Sequence, residues 1–168
     1  LLGGVGAAYT HYFAFAAVLW IYGFLFLYLL IRRRKQLLKW LATALLSLVI
    51  YLPWLTKMSA QVKGVSGNYW IPEIDGKVLL SYFPWIVNTN LPYVTAVMTV
   101  IFVIAFLLIA YQIRKKKALD GKTAAALFGV GIPILVVVTG VALSNLIRPI
   151  FIIRYVMPSI GLLCLFLA

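Results

Sequence analysis

The stretch AAYTHYFAFAAVLWIYGFLFLYLLIRRRK, residues 7–35, decides the fold. Residues 7–31 contain no Asp, Glu, Lys or Arg, and Arg32, Arg33, Arg34 and Lys35 follow at once. A helix rises 1.5 Å per residue, so about 20 apolar residues cross the hydrocarbon core of a bilayer. This run is longer than that and ends at a sharp cationic boundary, which reads as a membrane-crossing helix that stops at the headgroups.

The same reading extends along the chain. Residues 37–55 form a second apolar run, with Lys39 only at its edge and Pro53 near its far end. Residues 93–113 and 123–147 form a third and a fourth, the third closed by Arg114, Lys115, Lys116 and Lys117, and the fourth carrying Pro133. Residues 155–168 begin a fifth. Residues 56–92 differ in kind, holding Gly64, Gly67, Asn68, Pro72, Gly76, Pro84 and Asn88 with no unbroken spanning run. They read as a folded outer loop with a short interfacial helix near residues 78–87. The expected fold is all-α: one polytopic transmembrane helical domain over residues 1–168, with four complete spans and part of a fifth. The apolar runs at both ends mark an internal piece of a larger membrane protein.

Composition agrees. Hydrophobic residues make up 65% of the chain and charged residues 11%, against about 25% charged in a soluble domain. The net charge of +12 raises nucleic acid as a partner, but the cations sit in short clusters between apolar runs rather than along a groove, which excludes that class. Residues 32–39 and 114–122 each hold five Lys or Arg, while the other five, Lys57, Lys63, Lys77, Arg148 and Arg154, are spread over more chain. If the spans alternate, the two dense clusters share a side. That side is cytoplasmic by the positive-inside tendency.

Several groups then face outward. Arg148 and Arg154 bracket an apolar connection, residues 149–153, and Tyr155 and Pro158 follow. Two guanidinium groups at the membrane surface suit an anionic group at the lipid interface, since a planar guanidinium pairs with phosphate oxygens through two parallel hydrogen bonds. The alternative is that both snorkel to headgroups. His11, the only histidine, lies in Tyr9-Thr10-His11-Tyr12 at the outer end of the first span. It reads either as a pocket residue or as part of an interfacial aromatic belt. Tyr69 and Trp70 offer flat apolar faces to a sugar ring, or rest on the bilayer. Glu73 and Asp75 are weak catalytic candidates and a thin ligand set for a divalent cation. No metal site is assigned, and no cofactor beyond that cation is suggested. No acid or base lies in the middle of any span, which counts against ion-coupled transport.

Four motifs on one membrane face carry a resemblance: Tyr9-Thr10-His11-Tyr12-Phe13-Ala14, Tyr51-Leu52-Pro53-Trp54-Leu55, Tyr69-Trp70-Ile71-Pro72, and Arg148-Pro149-Ile150-Phe151 leading to Arg154-Tyr155-Val156-Met157-Pro158. In this order they resemble the middle and later helices of GT-C-type membrane glycosyltransferases related to protein O-mannosyltransferases and aminoarabinose transferases (glycosyltransferase family 39-like). The resemblance implies an enzyme that moves a sugar from a polyprenyl-phosphate donor to an acceptor on the extracytoplasmic side. It implies that the catalytic acid lies upstream of these helices. Arg154, Arg148 and Tyr155 would hold the donor phosphate, and His11, Tyr12, Tyr69 and Trp70 would line the pocket. The expected partners are a polyprenyl-phosphate-linked sugar and membrane lipids. The competing readings are a transporter or flippase for a lipid-linked sugar and a non-catalytic membrane scaffold.

Overall fold

The computed structural model describes residues 1–64, 71, 74–86, 91–116, 120–146 and 149–167. The described residues form helices and no strands: α1 (Leu2–Thr10), α2 (Tyr12–Arg32), α3 (Leu37–Gly64), α4 (Gly76–Ile86), α5 (Pro92–Lys116), α6 (Gly121–Leu146), α7 (Met157–Ile160) and α8 (Leu163–Leu167). Short 3₁₀ turns cover Arg34–Gln36 and Ile153–Val156. Among the described residues, four segments are long and apolar enough to cross a membrane: Tyr12–Arg32, Arg34–Ala60, Pro92–Gln112 and Gly121–Leu146. Their outer faces leave large apolar side chains uncovered, among them Leu45 and Val49 on α3 and Val100 and Leu107 on α5. Apolar exposure of this extent fits lipid, not water, as the surrounding solvent.

Ring and hydrogen-bond contacts set the pairing. On the α2–α3 face Phe15 stacks on Tyr51 at 4.3 Å, the Tyr22 hydroxyl meets Ser47 Oγ at 2.7 Å, and Phe26 approaches Trp40 at 5.0 Å. Rising numbers on α2 meet falling numbers on α3, so the pair is antiparallel. The α2–α6 face runs the same way. Trp20 Nε1 donates to Thr139 Oγ1 at 3.0 Å, Phe24 stacks on Phe128 at 5.0 Å, and the Tyr28 hydroxyl lies 3.6 Å from where a Cβ on Gly121 would stand. The end of α2 and the start of α6 therefore share one end of the bundle. Only residues 117–120 separate α5 from α6, too few to cross a bilayer, so Arg114 and Lys115 close α5 at the same end as Arg32, Arg33, Arg34 and Lys35.

The core lies toward the opposite end, where Phe13, Ala17, Tyr82, Ile132, Val136, Phe151 and Val156 pack together. Phe151 is its keystone. Its ring lies flat against Gly140 of α6, where a Cβ would overlap it. Ser144, one turn further on, accepts from the backbone N–H groups of Ile150 at 3.2 Å and Phe151 at 3.0 Å. The chain leaving α6 is thus tied back onto the helix it has left.

The elements differ from the sequence expectations in three places. The first apolar run is two helices rather than one over residues 7–31, because His11 is extended (φ −163°, ψ 147°). Thr10 Oγ1 bonds back to Ala7 O at 2.7 Å, and His11 Nδ1 accepts from Phe13 N at 3.2 Å. These local side-chain bonds end one helix and start the next. Short α1 folds back along α2, and Gly4 lets it approach Val18 and Tyr22. The second run does not stop at residue 55. The helix passes Pro53 and continues to Gly64, so residues 56–64 belong to α3 and not to a loop. Near the proline, the carbonyl of Ile50 accepts from the Tyr9 hydroxyl at 2.5 Å. The fifth run, residues 155–168, is not one helix. Pro158 lacks the N–H that would extend the 3₁₀ turn, and the chain turns at Gly161 and Leu162 between α7 and α8. The short helix expected over residues 78–87 is α4.

Two substitutions probe the keystone. Gly140→Ala must displace the Phe151 ring, and such overpacking costs roughly 1–3 kcal/mol. Ser144→Ala leaves two N–H groups at a buried site without an acceptor, at about 1–3 kcal/mol. Thermal unfolding in detergent should show both variants melting several degrees below wild type. Gly161→Ala, with no atom within 4 Å of its Cβ position, should match wild type.

Candidate functional site at the His11–Arg154 end

The connection that Ser144 ties down leads directly into the 3₁₀ turn Ile153–Val156. This turn sets Tyr155 inward and Arg154 outward, half-buried and exposed respectively. The Tyr155 ring lies on Phe13 at 5.2 Å, nearly parallel, and its centroid is 4.4 Å from that of His11. The Arg154 guanidinium carbon stands 5.7 Å from the same ring, within cation–π range. Phe13 in turn meets Phe151 edge-on at 4.9 Å. One aromatic ring, Tyr155, therefore joins the break between α1 and α2 to Arg154.

Of the residues singled out in the sequence, the structure brings together His11, Tyr155 and Arg154. Tyr12 is adjacent, exposed, with its ring 5.9 Å from that of His11. Asp75 is exposed and precedes α4. Arg148, Tyr69, Trp70 and Glu73 lie outside the described residues. Among the described residues no group of three His, Cys, Asp or Glu side chains could hold a metal ion.

Three features were not anticipated from sequence. The Phe13–Tyr155 stack and the Ser144 tie position the site, and their signal was the small and hydroxyl side chains, Gly140 and Ser144, on one face of α6. Tyr82 of α4 packs 5.9 Å from Phe151, and its buried hydroxyl has no hydrogen-bond partner among the described residues. Burial pushes that phenol's pKa up. A cavity of about 350 Å³ also opens between α1, α2 and α3, lined by Phe15, Tyr22, Trp40, Ser47 and Tyr51 among others. It lies within the spanning part and includes none of His11, Tyr155 or Arg154, so it is separate from this cluster.

Comparison of the chain with protein-family models, with curated proteins and with solved structures finds no match. The site is therefore read from its own geometry.

Burial, and then the positive charge of Arg154, hold the His11 pKa below its ordinary value of 6.5. Both disfavour the imidazolium. The unfolded chain takes up this proton near pH 6.5, and the folded chain only at lower pH. Stability from this group is accordingly undiminished above pH 6.5, falls as the pH drops through the window just below it, and levels off once folded His11 is protonated. Ring NMR of this single histidine should give a titration midpoint below 6.5, and Arg154→Gln, which removes the neighbouring charge, should move it upward.

Proposed function

We propose that the protein is a membrane glycosyltransferase, which moves a sugar from a polyprenyl-phosphate donor to an acceptor at the extracytoplasmic end of the bundle. The observation that carries this reading is the placing of Arg154. It stands exposed on Tyr155, beside His11, at the end of the bundle opposite Arg32–Arg34 and Lys35. With the dense cationic end in the cytoplasm, Arg154 meets the outer leaflet, where a lipid-linked phosphate would lie.

The chemistry follows from the guanidinium. Glycosyl transfer from such a donor breaks the bond between the sugar and phosphate, and negative charge grows on the departing phosphate. A planar donor fork aimed at those oxygens stabilises that charge more as the bond breaks than before it. The support for precise aim is the tie of residues 150 and 151 to Ser144 and the seating of Tyr155 on Phe13, which fix the turn carrying Arg154. The resemblance set out above supplies the donor class, and it implies that the carboxylate that would take the acceptor's proton lies upstream of these helices.

The test compares two cations at one position. Arg154→Lys keeps the charge but loses the bidentate fork. A charge-assisted hydrogen bond is worth about 1.5–3 kcal/mol, so sugar transfer in membranes should fall by roughly ten- to more than a hundredfold at matched protein levels. A residue that only snorkels to headgroups would accept lysine with little effect. Wild-type transfer rates in Arg154→Lys would remove the phosphate assignment, and the same comparison at Arg148 tells a two-arginine clamp from a single binding residue.

A further inference from the structure

The role of His11 is constrained by a bond that has nothing to do with ligand. His11 is the residue before α2, and its Nδ1 accepts a hydrogen bond from the backbone N–H of Phe13 at 3.2 Å. An N–H group can only donate, so Nδ1 must present its lone pair. A neutral imidazole carries one proton, which then sits on Nε2. Burial and the Arg154 charge act against the imidazolium, so the ring is neutral at pH 7 and above. Nε2 lies on the edge of the ring away from Nδ1. No hydrogen bond from Nε2 is present among the described residues. His11 and Arg154 flank the same Tyr155 ring, at 4.4 Å and 5.7 Å.

We infer that His11 is a binding residue that donates a hydrogen bond from Nε2–H to an oxygen of the phosphate-bearing ligand, and that its capping of α2 bars it from acting as the base. The inference rests on the phosphate reading of Arg154 given above. Its chemistry is simple. The lone pair a base would need is engaged by the helix, and the other nitrogen already holds the proton. The capping bond fixes the tautomer and the ring orientation together, much as the second nitrogen of a metal-bound histidine is fixed by its own partner.

Because the chain has one histidine, ring-¹⁵N labelling gives one pair of signals from the full chain. In phosphatidylcholine nanodiscs at pH 7.5 the spectrum should show Nε2 protonated and Nδ1 bare. Addition of undecaprenyl phosphate should shift Nε2 and leave Nδ1 in place, while phosphatidylglycerol at the same charge density should shift neither. An Nδ1–H tautomer, an imidazolium, or an Nε2 signal unmoved by undecaprenyl phosphate would overturn the inference. An equal shift with phosphatidylglycerol would replace the specific ligand by headgroups in general, and would overturn it too. Two variants separate the nitrogens. In His11→Asn the amide oxygen can still cap α2 but no donor reaches the Nε2 position, so the melting temperature should stay near wild type while affinity for undecaprenyl phosphate falls about tenfold. His11→Gln places an N–H near the Nε2 position and loses the cap, so the order reverses. Wild-type affinity in His11→Asn overturns the proposal even if His11→Gln fails to fold. The two readings fail differently. An Nε2 shift without sugar transfer would count against the enzyme and not against the donor role. Sugar transfer by a protein whose Nε2 never responds would do the opposite.

Discussion

The seat of Phe151 on Gly140 governs the end of this bundle opposite Arg32–Arg34. A chain leaving a membrane helix must satisfy its backbone N–H groups without help from water, and each one left bare costs free energy. Here Ser144 supplies the acceptor for two of them, and the missing side chain at Gly140 supplies the space for the ring. Either feature alone would leave the connection loose. Together they hold residues 149–151 against α6 and determine where the following turn begins, and so where Tyr155 and Arg154 stand.

From that seat an aromatic column spreads across the end of the bundle. Phe151 meets Phe13 of α2 and Tyr82 of α4, Phe13 meets Tyr155, and Tyr155 meets His11. Lipid tails are as apolar as leucine, so helices in a bilayer gain little from burying greasy surface and must rely on fit. Rings give that fit at low entropic cost, each pair adding about 0.5–1.5 kcal/mol. The column's members come from the break before α2, α2 itself, α4, the connection after α6 and the 3₁₀ turn, so segments far apart in sequence meet at this end of the molecule.

The spans were legible in the sequence because hydropathy and length are properties of single segments. Residues 93–113 and 123–146 lie within α5 and α6, residue 147 being outside the described residues, and each cationic cluster lies where a spanning helix ends. What could not be read were interruptions decided by one residue's hydrogen bonds. Nothing in hydropathy separates residues 7–10 from residues 12–31, since the break comes from His11 preferring to cap α2 over continuing a helix. The run past Pro53 was missed for the opposite reason: proline signals an end, but the helix carries it in its interior and continues to Gly64. At the site, residue types were visible and their neighbours were not. Arg154 and His11 were chosen for their charge and rarity, while Tyr155 as the ring between them depends on a turn that only the Phe151 seat defines.

That common ring also bears on why an arginine and a neutral histidine belong together. An arginine at a membrane edge is costly unless its charge is partly met, and the face of Tyr155 offers a weak, always-present partner. Burial first, and then the same positive charge, make His11 lose its own proton more easily. On the proposed reading the pair would divide the work of meeting an anion: one group would bring permanent charge and the other a neutral, oriented donor that adds no repulsion to its neighbour. Two imidazolium-like cations side by side would bind an anion more strongly but would repel each other in its absence, and would charge and discharge near neutral pH. A fixed guanidinium beside a helix-capping neutral imidazole avoids both.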